Sequence, residues 1–245
     1  FDGVDVTTAG GAITVDAGAN ALTLNDSAGD QSTLNTSVGN GAINLTADDY
    51  VFGTGNTTDQ VLAGSGKITL ANSSGVAIDV GFTTGSGGIK LSDAEIGELS
   101  TTGTIEIGSG TAGAIVVDTA DFGTTDLTLI SGSAINDAAA AATHITADTL
   151  HLDARAGDIG SGADAIDVAV TTLKVNTVGA NSAYVTSSGG FAVDDSSIGT
   201  DLSLESGGAI TFEAGSAISW GAGQTATFDA DTDINLNGGT FTSTG

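Results

Sequence analysis

The sequence predicts an all-β fold, a right-handed parallel β-helix (β-solenoid) that runs as one continuous unit over residues 1–245. Three observations support this prediction. Short strands with one apolar side recur along the chain, turn-forming residues separate them, and two segments repeat each other. The composition agrees, because the 245 residues include 38 glycines and no proline, cysteine or methionine. The right-handed coil follows from the general bias of parallel crossovers.

Runs that alternate apolar and polar residues recur from one end of the chain to the other. This period-two pattern is typical of a strand with one buried face. With about 20 residues per turn, the chain would make roughly a dozen coils, a rod on the order of 55 to 60 Å long. The principal runs are AITV (12–15), ALTL (21–24), AINL (42–45), KITL (67–70), GIKL (88–91), TIEI (104–107), DLTL (126–129), TLHL (149–152), TLKV (172–175), DLSL (201–204), TATF (225–228) and DINL (233–236).

Two segments repeat each other closely. DLTLISGSAI (126–135) and DLSLESGGAI (201–210) agree at seven of ten positions. In a solenoid each turn packs only on its neighbours, so similar turns recur along the chain. The repetition therefore favours a solenoid.

Three alternatives were weighed against the composition. A β-sandwich of this size usually has several large core aromatics and prolines in its turns, whereas this chain has one Trp, two Tyr and no Pro. Disorder is disfavoured by the many Ile, Val and Leu residues. In the segment 136–145, Asp137 could cap a short alanine helix, but short helices are marginal and a longer loop between coils is preferred.

The charge of the chain limits its partners. Four basic and 30 acidic residues give a net charge of −26, which disfavours nucleic acid and anionic membrane surfaces. The apolar runs are far shorter than the roughly 18 residues that span a bilayer. Only five of the acidic residues are Glu, and the preference for Asp assigns most of the charge to turns. The lack of cysteine excludes disulfides and thiolate chemistry.

Three long runs resemble the repeat regions of filamentous-haemagglutinin-like exoproteins. They are DLTLISGSAINDAAAAATHITADTLHLDARAGDIGSGADAIDV (126–168), TLKVNTVGANSAYVTSSGGFAV (172–193) and DLSLESGGAITFEAGSAI (201–218). The resemblance extends over most of the chain, from about residue 12 to 240, in degenerate repeat patterns. Such proteins are large bacterial surface proteins, secreted by the two-partner route or as autotransporter passengers. The resemblance implies an exported, elongated extracellular or cell-surface protein that acts as an adhesin, fibre or stalk. It implies no catalytic residue, and the secretion-recognition segment usual in such proteins is not recognisable.

The segment TLHLDAR (149–155) contains the only arginine of the chain and one of its two histidines. Its alternation predicts that Leu150, Leu152 and Ala154 point inward and that Thr149, His151, Asp153 and Arg155 project from one outer face. Glycan lyases built on parallel β-helices use carboxylates and a basic residue on such a face. Lys174, one coil away, is the only further basic residue expected nearby, so a solvated charge cluster on a scaffold is the preferred interpretation. His144 is expected to be an exposed neighbour of Ile145.

Asp229, Asp231 and Asp233 are the candidate calcium ligands. Their spacing resembles the opening of a calcium loop, but Ile234 stands where a turning glycine is expected. No other metal, cofactor or catalytic residue is assigned, because no phosphate-loop, nucleophile-elbow or zinc-protease motif is present. The pairs Asp48–Asp49 and Asp194–Asp195 are interpreted as turn residues.

The two end segments suggest how the chain assembles. Neither FDGVDVTTAGGAI nor NGGTFTSTG resembles a polar cap, and open solenoid ends associate. We expect either a fragment or mature segment of a longer solenoid, or copies that stack end to end. The predicted function is a non-enzymatic extracellular structural or adhesive module, in a filament or in the shaft of a surface adhesin. Its expected partners are copies of itself or neighbouring solenoid coils, with surface glycans as a further candidate. The alternative is a glycan-binding or polysaccharide-degrading β-helix that uses the face near His151, Asp153 and Arg155.

Overall fold

The computed structural model describes residues 3–24, 26–27, 30–53, 60–82, 88–138 and 144–244. These residues form an all-β parallel solenoid, which confirms the predicted fold class. In residues 3–117 the strands are β1 (Asp5–Thr7), β2 (Ile13–Asp16), β3 (Ala21–Leu24), β4 (Asp26–Ser27), β5 (Asp30–Gln31), β6 (Thr33–Asn35), β7 (Ile43–Thr46), β8 (Asp49–Phe52), β9 (Val61–Gly64), β10 (Ile68–Ala71), β11 (Ile78–Val80), β12 (Ile89–Leu91), β13 (Leu99–Thr101), β14 (Thr104–Gly108) and β15 (Ile115–Val117), with one short helix, α1 (Asp93–Ile96).

The second half contains the longest strands. They are β16 (Ala120–Asp121), β17 (Asp126–Ser131), β18 (Ile135–Asp137), β19 (Ile145–Ala154), β20 (Ile166–Thr177), β21 (Ala183–Ser187), β22 (Phe191–Val193), β23 (Ser196–Ser197), β24 (Leu202–Ser206), β25 (Ile210–Phe212), β26 (Ala217–Gly221), β27 (Ala226–Ala230), β28 (Ile234–Leu236) and β29 (Thr240–Thr244). Among the described strands, only β4 and β5 pair in an antiparallel direction. None of the described helices has the length and apolar character needed to cross a membrane.

One ladder of parallel strands runs through the whole solenoid. It stacks one inward residue from each of ten strands in a column: Ile13, Ile43, Ile68, Ile105, Leu127, Leu150, Leu173, Val193, Phe212 and Leu236. The chain makes about eight to nine turns, and nine steps of about 4.8 Å give a length of roughly 43 Å. The predicted dozen coils is too many, because one turn takes 19 residues between Val193 and Phe212 but 37 between Ile68 and Ile105.

The core is thin and aliphatic. Leu150, Leu152 and Ala154 are fully buried, so the predicted inward set of β19 is confirmed. A second column beside the first contains Leu129, Leu152 and Val175 in register. Burying a Val, Leu or Ile side chain contributes about 1.5 to 3 kcal/mol, and each turn repeats this contribution on the turn below it.

The longest turn contains an inserted strand and the helix. Strand β12 pairs in parallel with β11 on the side opposite to β15. The helix α1 follows directly and begins with a capping box, in which the Ser92 hydroxyl accepts a hydrogen bond from the Glu95 N–H and Glu95 accepts one from the Ser92 N–H. Its Ile96 is buried. The insertion therefore lengthens the turn without opening the core.

Aspartate side chains join successive turns. In each case an Asp Oδ1 accepts a hydrogen bond from a backbone N–H that lies 22 to 24 residues later, one turn further along. The four pairs are Asp126 with Thr149, Asp158 with Ser182, Asp195 with Ala217 and Asp201 with Thr225, at 2.7–3.2 Å. Asp48 accepts the backbone N–H groups of Ser73 and Ser74 in the same way, and its pKa is lowered chiefly by the hydrogen bond from the Ser74 hydroxyl. We call these residues the aspartate clips. They give the turn aspartates a structural role, because the short Asp side chain reaches the adjacent turn.

The repeated segment forms the same corner in both copies. The Ser131 hydroxyl donates to the Gly113 carbonyl at 2.8 Å and accepts from the Ser133 N–H at 3.0 Å. Ser206 makes the equivalent bonds to Gly189 and Gly208. A Cβ on Gly132 would lie 2.5 Å from the Ala112 carbonyl oxygen, so the glycine after the serine is required by the close approach of the neighbouring turn.

Candidate functional site

The outward face of β19 brings Asp153 and Arg155 into direct contact. The Arg155 Nε lies 2.9 Å from both carboxylate oxygens of Asp153, and Nη2 lies 2.7 Å from Oδ2. Asp153 is only 7% exposed, whereas half of the Arg155 side chain is exposed. The hydrogen bonds and charge of Asp153 raise the pKa of Arg155. Asp153 is therefore not the solvated carboxylate that the sequence predicts, because the guanidinium covers it.

His151 is bound to the following turn. Its Nε2 lies 2.8 Å from the Nδ2 of Asn176, so Nε2 accepts the amide proton and the ring proton is on Nδ1. Burial lowers the pKa of His151, and the positive charge of Lys174, its register neighbour, lowers it further. The imidazole is therefore held neutral, and its Nε2 lone pair is already used.

An open groove lies beside this face. It has a volume of about 290 Å³, and its lining includes Lys174, Asn176, Asp195 and Ser197. Asn176 connects the groove to His151, and the Asp195 carboxylate accepts the Ala217 N–H at 2.8 Å as one of the aspartate clips. Lys174 is thus the cation that this groove offers to a ligand, together with amide and hydroxyl groups.

The three candidate calcium ligands lie on the last described turn. Asp229, Asp231 and Asp233 are all exposed. Asp229 and Asp231 line a second open groove of about 300 Å³, next to Glu205. The three carboxylates do not come within 4.8 Å of one another as a set. Calcium binding at these residues remains a prediction.

A different cluster of ionisable side chains, largely buried, joins the turn of His151 to the next turn. The ligand atoms of Asp137, His144 and Asp167 all lie within 4.8 Å of one another, which is true of no other group of three or more His, Asp or Glu residues in the described part of the chain. The His144 Nδ1 is 3.5 Å from Asp137 Oδ2 and 3.7 Å from Asp167 Oδ2. The expectation that His144 is exposed is wrong, because its side chain is only 3% exposed.

The backbone of His144 continues the β19 ladder by one position. Its N–H donates to the Asp167 carbonyl at 2.9 Å, and its carbonyl accepts the Ala120 N–H at 2.7 Å. His144 is therefore in register with Asp167, and this register brings the two side chains next to each other. The interpretation of residues 136–145 as helix or loop concerns mainly 139–143, which lie outside the described residues. Asp137 itself is the last residue of β18 and does not cap a helix.

Asp137 has an unusual position that the sequence alone could have indicated. It ends a column of inward side chains whose other members are Leu91, Val80 and Val117. Burial raises the pKa of Asp137, and the negative charge of Asp164 raises it further. An aspartate at an aliphatic core position of a repeat, followed by a histidine seven residues later, was the available signal.

Comparisons with protein-family models, with curated proteins and with solved structures found no match for this chain. The parallel solenoid implied by the resemblance to filamentous-haemagglutinin-like exoproteins is confirmed by the fold. Membership of that family remains a prediction that rests on the repeat patterns of residues 126–168, 172–193 and 201–218.

Proposed function

We propose that this chain is a non-enzymatic β-solenoid module of an extracellular or cell-surface protein, and that its end turns pack against further solenoid turns to build a shaft or filament. The observation that carries the proposal is the apolar surface of the last described turn. Leu236 and Ile234 are 64% and 46% exposed, although Leu236 belongs to the column in which Phe212, one turn earlier, is fully buried.

Two further apolar side chains, Phe228 and Phe241, lie at this end. Phe228 and Phe241 pack edge to face on Phe212, with ring centroids 4.9 and 4.8 Å away, and both are partly buried. Such pairs add about 0.5 to 1.5 kcal/mol beyond area burial. The three rings pack on one another across the last two turns, so the end of the core presents a defined apolar surface.

The strands at both ends have a free edge among the described residues. At the C-terminal end β27, β28 and β29 pair only with the turn before them. At the N-terminal end β1, β2 and β3 pair only with the turn after them, and Val4 is 41% exposed. Free parallel edges recruit further strands through their backbone groups. The two edges differ, so contact between copies would be head to tail and would lead to a filament.

The test is the assembly state of the purified chain. We expect electron microscopy at increasing concentration to show rods that lengthen by about 48 Å per copy, because each copy adds ten strand spacings of about 4.8 Å. Leu236→Lys places a charge on the end surface and should weaken association about tenfold or more, measured by analytical ultracentrifugation.

Val178→Lys is the matched control. Val178 is 53% exposed, but it lies beside β20 in the middle of the solenoid. This variant should associate like the parent chain. The proposal fails if the parent chain stays monomeric at high concentration, or if the two lysine variants associate equally.

A second candidate function is glycan binding on the outer face. The groove beside His151 favours it, because Lys174, Asn176 and Ser197 bring a cation, an amide and a hydroxyl to one place. A glycan array should then show a signal that Arg155→Ala and Lys174→Ala both reduce. An array without signal for the parent chain rules this candidate out.

A further inference from the structure

One carboxylate oxygen of Asp137 and one imidazole nitrogen of His144 are buried without a hydrogen-bond partner among the described residues. Their side chains are 1% and 3% exposed. Asp137 Oδ2 and His144 Nδ1 have no hydrogen-bond partner among the described residues. A buried polar atom without a partner costs about 1 to 3 kcal/mol, and more when the group is charged. Because two such atoms face each other, we infer that a bound ligand interacts with both.

The distances fit ligands that share a metal ion better than a hydrogen-bonded pair. The separations of 3.5 and 3.7 Å between His144 Nδ1 and the two carboxylates exceed hydrogen-bond length. Two tetrahedral ligands at about 2.1 Å from one ion lie about 3.4 Å apart. Small shifts of the two aspartates would bring all three atoms to this spacing.

The charges also require a cation. Asp137 and Asp167 bring two carboxylates to one histidine, and Asp164 adds a third negative charge close to Asp137. Within the described part of the chain, no Lys or Arg forms an ion pair with any of these residues. Carboxylates at an interior position are normally paired or coordinate a metal.

We propose that Asp137, His144 and Asp167 bind one divalent first-row transition-metal ion, and that the ion joins the end of β18 to the start of β20. Imidazole with carboxylates suits Zn²⁺ and its neighbours in the first row, whereas Ca²⁺ takes six to eight oxygen ligands. Asp167 provides the route from solvent, because its side chain is 31% exposed. The proposal is independent of the assembly of the end turns.

The experiment uses the full chain, stripped with a chelator and titrated with Zn²⁺ in millimolar Ca²⁺ and Mg²⁺. We expect one tightly bound Zn²⁺ per chain and a rise in Tm of about 5 °C at about 100 times the Kd. His144→Gln and Asp137→Asn should each abolish the rise. His151→Gln is the matched control, since it removes the other histidine, and it should retain the full effect.

Histidine nitrogen NMR of the unaltered chain provides a readout that does not depend on folding of the variants. The chain has two histidines, so each ring can be followed separately. Zn²⁺ should move the Nδ1 signal of His144 and leave His151 unchanged. The proposal is overturned if the Nδ1 signal of His144 does not move at saturating Zn²⁺. It is also overturned if His144→Gln binds the same amount of Zn²⁺ with the same affinity as the parent chain, because the ion would then lie on the acidic surface.

Discussion

The two histidines stand seven positions apart on one turn of the solenoid, in opposite environments. His151 points outward and is hydrogen-bonded to Asn176. His144 is buried between Asp137 and Asp167, and its Nδ1 has no partner among the described residues. The outer histidine stands out in the sequence because arginine and aspartate follow it. The comparison teaches that polar groups on the outer face can form hydrogen bonds and ion pairs with one another. A buried polar atom without such a partner is the better candidate for binding a ligand.

The largest predicted effect is the difference in unfolding free energy between substitutions at two adjacent positions of β19, one inward and one outward. Leu152→Ala removes a fully buried side chain from the second column and should lower the free energy of unfolding by about 3 kcal/mol, since the neighbouring turns prevent full collapse of the cavity. His151→Ala, one residue away on the outer side, should cost clearly less. Chemical denaturation measures both. Equal losses would show that the inward and outward sides of β19 are not distinct.

A smaller loss of stability should follow from substitutions in the ion pair of Asp153 and Arg155. Asp153→Ala removes the carboxylate that holds Arg155 and should cost about 1 to 2 kcal/mol, a figure reduced from that of a buried charged hydrogen bond because Arg155 is half exposed. Arg155→Ala should cost at least as much, because it leaves a mostly buried carboxylate without its partner. A double-mutant cycle measures the coupling between them, and strictly additive losses would contradict the pairing.

The smallest effect should appear in the pH dependence of stability. The pKa of His151 in the folded chain lies below its ordinary value of 6.5, because burial and the positive charges of Lys174 and Arg155 outweigh the opposing effect of Asp153 and Asp194. The unfolded chain therefore binds the proton more readily. The contribution of His151 to stability is present above about pH 6.5 and is lost as the pH falls through the folded pKa.

His151→Asn keeps a neutral polar side chain and should flatten this part of the profile of unfolding free energy against pH. The difference from the parent chain should be smaller than the loss caused by Asp153→Ala. An unchanged slope in the variant would mean that another group titrates in this range.

The sequence predicts the fold well because alternation and stacking are local properties. DLTL at 126–129 lies within β17, and Leu150 and Leu152 are buried as their alternation requires. The number of turns is not local. It depends on insertions such as β12 and α1, which lengthen one turn without breaking the strand pattern.

The sequence predicts the candidate sites only in part, because alternation is a local property and the contacts between turns are not. His151 and Asp153 lie on β19 and Arg155 follows it directly, so alternation along one stretch of chain brings them to one face. Asp137, His144 and Asp167 lie on three strands or strand ends, and only the register of successive turns brings them together. His144 is buried beside Asp137 and Asp167, which lie on other strands, and a period-two pattern does not encode these contacts.

The aspartate clips also decide how two rods can approach each other. Each clip adds a negative charge to the side of the solenoid, and the net charge of −26 leaves these charges largely uncompensated. At physiological salt the repulsion between two such sides extends over about 8 Å, which exceeds the separation of packed strands. Side-by-side bundling is therefore opposed until salt screens the carboxylates. The groups that hold one turn to the next inside a rod thus keep neighbouring rods apart, and ionic strength controls their lateral association.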